Sequence, residues 1–167
     1  MGFRYFEDFK AGETVELGEY TIGEADILEF ARLYDPQVFH IDAERARETP
    51  YGGLIASGWH TASLGMRMLV DGLLGASAST GSPGVESLNW HKPVRPGDTL
   101  RARITTLESA LSRSRPDRGR IRSKLEILNQ NGELVLSWIG TIIIGTQPKG
   151  AQPKGTQPEG TQPKQQD

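Results

Sequence analysis

The sequence contains no cysteine. That removes disulfides, thiol nucleophiles and thiolate metal sites together, and it suits a reducing compartment, so cytoplasm is the expected location. An excess of charge is also missing: 19 basic residues stand against 21 acidic ones, so no overall field draws the chain to nucleic acid or to an anionic membrane. Any anionic ligand must be held locally. No glycine-rich phosphate loop and no G-x-S-x-G occur, and Ser57 lies instead in "IASGW", so serine hydrolysis of the elbow type has no support. The three histidines, His40, His60 and His91, form no H-x-H or H-x-x-x-H pair, and no metal site is expected. The opening "MGFRYFEDF" has acidic residues and no apolar core of signal length, and Phe6 occupies the place where a myristoylation signal has Ser or Thr.

What is present suits one domain. A chain of 167 residues can bury a continuous core without metals or disulfides. From Thr146 the sequence repeats a short Gln-Pro-Lys/Glu-Gly unit with almost nothing to bury, so residues 146–167 read as a disordered tail and residues 1–145 as the folded domain. The repeats are too short and polar for a solenoid.

Within the domain the patterning changes from helical to strand-like. "TIGEADILEFARLYDP" has Thr21 and Glu24 at capping-box spacing, then Ile27, Phe30, Ala31 and Tyr34 at helical intervals until Pro36. A further helical turn or two is expected after Asp42, a good N-cap residue. Residues 56–74, "ASGWHTASLGMRMLVDGLL", are apolar nearly all round, which predicts a helix enclosed by other structure. His60, Arg67 and Asp71 inside it make a membrane span costly. Trp59 and Trp90 are expected in the core, the alternative being that either limits the length of a bound ligand.

The stretches "ETVELGEY", "VESLNWHKPV", "DTLRARITTLES", "GRIRSKLEILN" and "ELVLSWIGTIII" alternate or are rich in β-branched residues and predict strands, with an Asn-Gly turn in "NQNGEL" joining the last two. Strands clustered in sequence and joined by short turns imply an antiparallel sheet whose apolar face needs a cover. The long helix supplies it. The predicted class is α+β, a sheet wrapped around one long helix.

The chemistry-bearing stretch is "LYDPQVFHID", where Asp35 and His40 flank a bend at Pro36. An acid and an imidazole turned the same way can share one water, each at hydrogen-bond distance. In "IASGWHTASL", Gly58 opens the buried helix, so its N–H points outward with the positive end of the helix dipole behind it.

Four stretches in order, "YFEDFKAGE", "FARLYDPQVFHID", "GGLIASGWHTASL" and "LNWHKPVRPGDTL", resemble the MaoC-like dehydratases, also called (R)-specific enoyl-CoA hydratases. The resemblance covers most of residues 4–145. It implies a hot-dog fold, reversible hydration of a 2-enoyl-CoA to a 3-hydroxyacyl-CoA, no metal or redox cofactor, and a homodimer or larger assembly, because single hot-dog units pair edge to edge. It also implies site residues. Asp35 and His40 match the family pair that brackets the water, and Gly58 matches the glycine whose N–H meets the thioester oxygen. Gln37 stands where the best-known branch has Asn in Asp-x-Asn-Pro-x-His, and the proline has moved to Pro36, which bears on substrate preference. Ser63 matches a family serine near the site. With an acyl-CoA thioester as substrate, Arg95 and Lys92 in "HKPVRPG", or the arginines of "RSRPDRGRIR", are candidates for its phosphates, although a solvated hairpin is the favoured reading of the latter run.

Two rivals share the fold. One is an acyl-CoA thioesterase, which generally activates water with a single acidic residue; His40 speaks against it. The other is a non-catalytic acyl-binding subunit tethered by its tail.

Overall fold

The computed structural model describes residues 2–148, and the tail reading over residues 149–167 lies outside them. Thr146 and Gln147, placed in the tail by composition, donate backbone hydrogen bonds to the Asp117 carbonyl and to Glu7.

Five strands form one antiparallel sheet: β1 (Thr14–Thr21), β2 (Ser79–Trp90), β3 (Thr99–Leu111), β4 (Arg118–Leu128) and β5 (Leu134–Gly145), in the order β1-β3-β4-β5-β2. The middle strands follow the alternation in their sequence. On β4, Ile121, Ser123, Leu125 and Ile127 face the core, while Arg120, Arg122, Lys124 and Glu126 lie on the other face. The turn between β4 and β5 has Gly132 at φ 74°, the left-handed geometry that an Asn-Gly turn provides.

Among the described residues four α-helices accompany the sheet: α1 (Glu24–Tyr34), α2 (Val38–Ile41), α3 (Ala43–Ala46) and α4 (Gly58–Gly72). The inner face of α4 buries Leu64, Met68 and Leu69 against the sheet. At Gly65 the helix comes so close that a Cβ there would sit 2.7 Å from the Ile127 side chain and 3.1 Å from Trp138. This is the hot-dog arrangement, a sheet curled around one central helix. No helix among the described residues is long and apolar enough to cross a membrane.

Several boundaries differ from expectation for identifiable reasons. α1 starts at Glu24 because the side chain of Asp26 accepts from the Gly23 N–H at 2.8 Å; Thr21 remains in β1, paired with the Thr99 hydroxyl. Asp42 does cap α3, accepting from the N–H groups of Glu44 and Arg45. β2 begins at Ser79, well before the predicted strand, although Gly81, Pro83 and Gly84 are poor strand formers. β5 offers it a ladder, and the pairing accommodates them with register shifts at Gly81 and Gly84. β2 is one of the two edge strands, opposite β1, pairs with β5 alone, and has most of its residues exposed.

Candidate active site

The chain turns at the end of α1, where the last helical hydrogen bonds and Pro36 set the direction. Asp35 is the C-cap, donating its N–H to the Ala31 carbonyl, and α2 starts three residues later with His40 in its single turn. His40 is buried and its Nδ1–H donates to the Ile55 carbonyl at 2.8 Å. A carbonyl can only accept, so this bond fixes the tautomer and leaves Nε2 as the ring's open position. Nε2 lies 3.4 Å from Asp35 Oδ2. That exceeds a charge-assisted hydrogen bond, and it allows one water oxygen to sit about 2.8 Å from both groups.

The carboxylate is held from two more directions. Ser57 Oγ–H donates to Asp35 Oδ2 at 2.6 Å, and Gln37 Nε2–H donates to Oδ1 at 2.8 Å. Burial alone pushes the Asp35 carboxyl up, but the bonds from Ser57 and Gln37, with the His40 ring beside them, outweigh it and bring the value below the ordinary carboxylate range. Asp35 therefore stays ionised near neutral pH.

Ser57 is fully buried and is the N-cap of α4, accepting from the Trp59 N–H at 3.2 Å while its own proton goes to Asp35. Gly58, the next residue, opens the helix, and its N–H is one of the first-turn donors that have no carbonyl within the helix to meet. Glycine is required there on steric grounds too, because a Cβ would collide with the indole of Trp90.

Asp35, Gln37, His40 and Gly58 line one cleft of about 490 Å³, closed on other sides by Tyr51, Val94 and Trp90. The aromatic expectations require correction. Trp59 and Trp90 are 58% and 49% exposed, and meet edge to face at 5.4 Å on the cleft wall. Trp138 is the buried tryptophan.

Two predicted residues lie apart from this cleft. Ser63 is exposed, one turn along α4, with its hydroxyl donating to the Trp59 carbonyl. Arg95 donates to the Tyr51 carbonyl at 2.6 Å, fastening the segment that carries Tyr51. Lys92 does line the cleft, and it is paired with Glu133. In the basic run, Arg115 and Arg118 share Asp117, and Arg122 meets Glu86 and Glu108, which matches the solvated-hairpin reading. Gln37 contacts the carboxylate as well as the cleft, a role the sequence did not suggest. Ser57 was missed altogether. Its only local signal is a serine directly before the glycine that opens a helix, the pattern of an N-cap. Among the described residues no three His, Cys, Asp or Glu side chains converge as metal ligands.

Comparison with known proteins gives this geometry relatives. The chain is 34% identical over 107 residues to an (R)-specific enoyl-CoA hydratase of Rhodospirillum rubrum, covering 60% of this chain and 68% of that protein. It is 30% identical over 113 residues to protein MaoC of Klebsiella aerogenes, spanning 67% of this chain and only 33% of that longer protein. A crystal structure of the MaoC-like dehydratase from Rhodospirillum rubrum superposes with a TM-score of 0.79 at 37% identity, covering 87% of this chain and 99% of that one. Residues 8–125, well over half the chain, match the MaoC like domain, and this protein belongs to that family.

Proposed function

We propose that the chain is a hydro-lyase that reversibly hydrates a 2-enoyl-CoA to a 3-hydroxyacyl-CoA. The observation that carries this reading is the placement of Asp35 and His40, 3.4 Å apart, in the same cleft as the first residue of α4. A water held by both groups attacks C3 of the enoyl thioester. Nε2 of His40 takes one of its protons, and Asp35 accepts a hydrogen bond from the other and aims the oxygen. The electrons of the double bond move toward the thioester, whose oxygen becomes negative, and the Gly58 N–H faces that charge with the helix dipole behind it. A preorganised donor of this kind contributes about 3 kcal/mol to the transition state. His40 then returns its proton to C2, so that H and OH have been added and the site is restored. The relatives named hydratase and dehydratase support the same class of chemistry.

The test is a panel of 2-enoyl-CoA thioesters, followed by loss of enoyl absorbance and mass analysis of the product. Asp35→Asn and His40→Ala should each lower the rate by at least about 100-fold with the fold intact. Wild-type rates in both variants would refute the assignment. Release of free thiol from a saturated acyl-CoA would instead make the protein a thioesterase.

The partner we propose is a second copy of this chain. β2 leaves one edge of backbone donors and acceptors unpaired, and α4 exposes Trp59, Met66 and Val70 along one stripe beside it. Sedimentation equilibrium should give a dimer; a monomer at micromolar concentration would rule the pairing out.

A further inference from the structure

Gln37 makes three hydrogen bonds that connect both members of the pair. Its backbone N–H donates to the Asp35 carbonyl at 2.8 Å, its side-chain Nε2–H donates to Asp35 Oδ1 at 2.8 Å, and its carbonyl accepts the His40 N–H at 2.8 Å. The first of these closes a three-residue turn with Pro36 at its centre. An inverse γ-turn asks for a central φ near −75°, which the proline ring nearly fixes. Asp35 itself is at φ −151° and ψ 69°, outside the helical region, as a residue before proline must be.

The two departures from the pattern of the best-known branch therefore belong together. With proline directly after the acid, the chain folds back at once, and the side chain at the next position returns to the carboxylate it has just passed. Glutamine has the reach and the N–H to meet Oδ1. Ser57 already occupies Oδ2, so each carboxylate oxygen has its own donor and the orientation of the group is fixed.

We propose that Gln37 is a positioning residue: through the Pro36 turn it fixes Asp35 relative to His40, and substrate binding does not depend on it. This rests on the hydration reading above. It differs from a substrate-binding role, the expectation for Gln37 if this position sets substrate preference. The titratable group facing Asp35 is His40 on α2; Ser57 and Gln37 are neutral, and His91 and Lys92 line the cleft from the segment after β2. Removing the Gln37 donor thus acts on Asp35 without removing a neighbouring charge.

The experiment uses the full chain with Gln37→Leu and Gln37→Glu. Gln37 is exposed, so neither change disturbs the core, and thermal melts check this. Gln37→Leu should lower kcat roughly tenfold with KM within about twofold, because the lost bond orients the acid rather than the ligand. The acid limb of kcat/KM should move to higher pH, and Gln37→Glu should move it further by placing a second carboxylate beside the first. A raised KM with unchanged kcat would make Gln37 a substrate contact and overturn the proposal. So would unaltered kinetics in both variants. Carbon-13 NMR titration of the Asp35 carboxyl provides a readout that needs no turnover. Its midpoint should rise in Gln37→Leu, and an unmoved midpoint would also overturn the proposal. If the wild-type chain hydrates no enoyl-CoA, the hydration reading fails, while the titration still decides whether Gln37 holds Asp35.

Discussion

On β4, charged and apolar residues alternate, and the charges meet one another at the surface: Lys124 and Arg103 with Glu126, Arg122 with Glu86 and Glu108. Around Asp35 the polar groups are fewer, buried Ser57 and His40 among them, and each is directed at one carboxylate. The sheet obtains its stability from the apolar face, where water is excluded over a broad area, and exposed ion pairs such as those of Arg122 contribute little. The segment around Asp35 buries less and specifies more. Its hydrogen bonds set a protonation state and a distance, so disturbing one should change rate before it changes stability.

Substitutions can break that contrast at either end. The largest effect is expected at Leu125, which is fully buried in the middle of the sheet. Leu125→Ala should cost about 2–5 kcal/mol of unfolding free energy in denaturant melts, while the folded fraction keeps its kcat and its KM. A parallel loss of kcat in the folded fraction would mean that core and site are not separable. Ser57→Ala should reverse the balance. It removes a donor from Asp35 and the cap from α4, so kcat should fall roughly tenfold and stability by only about 1 kcal/mol. With that donor gone the Asp35 value rises, and the acid limb of the rate profile moves to higher pH.

A smaller effect is expected at His60, on α4 against α1. It is buried, with its ring stacked on Phe30 at 4.5 Å and Nδ1 without a partner among the described residues. Burial lowers its pKa, and the charge of Asp26 offsets this only in part. The unfolded chain then binds the proton more readily than the folded one. Stability is complete above the ordinary histidine value of about 6.5 and declines as pH falls below it toward the lowered folded value. His60→Phe should flatten that decline in melts taken across the acid range; the same slope in the variant would assign it to another group. The smallest effect is expected at Arg122, on the outer face. Arg122→Ala should change stability by less than about 1 kcal/mol and leave kcat alone, and a larger loss would show that the surface network does more than solvated pairs normally do.

The regular parts of the molecule were legible in its sequence because their signals are local. Alternation in "GRIRSKLEILN" gave β4 its two faces, and Asn131-Gly132 gave the turn that follows. Asp35 and His40 were legible as a pair because five positions of chain hold both. Ser57 was not, since the partner that gives it meaning is Asp35, 22 positions away. Trp59 and Trp90 misled for a related reason. Hydrophobicity says that a side chain gains by leaving water, and says nothing of where a cleft opens in the surface that would cover it. Ser63 matched by position, and in the fold its hydroxyl meets the Trp59 carbonyl one turn back on α4, while Arg95 meets a carbonyl that only the fold brings near.

By itself, then, the sequence determined the class of the fold, the identity of the central helix, and the acid and imidazole on one bend, because each rests on periodicity or on contacts between near neighbours. The tertiary structure alone decided which oxygen of Asp35 each donor meets, which ring nitrogen of His40 stays open, and which aromatic rings line the cleft. Those outcomes depend on groups far apart in the chain, whose separation is set only when α4 closes onto the sheet.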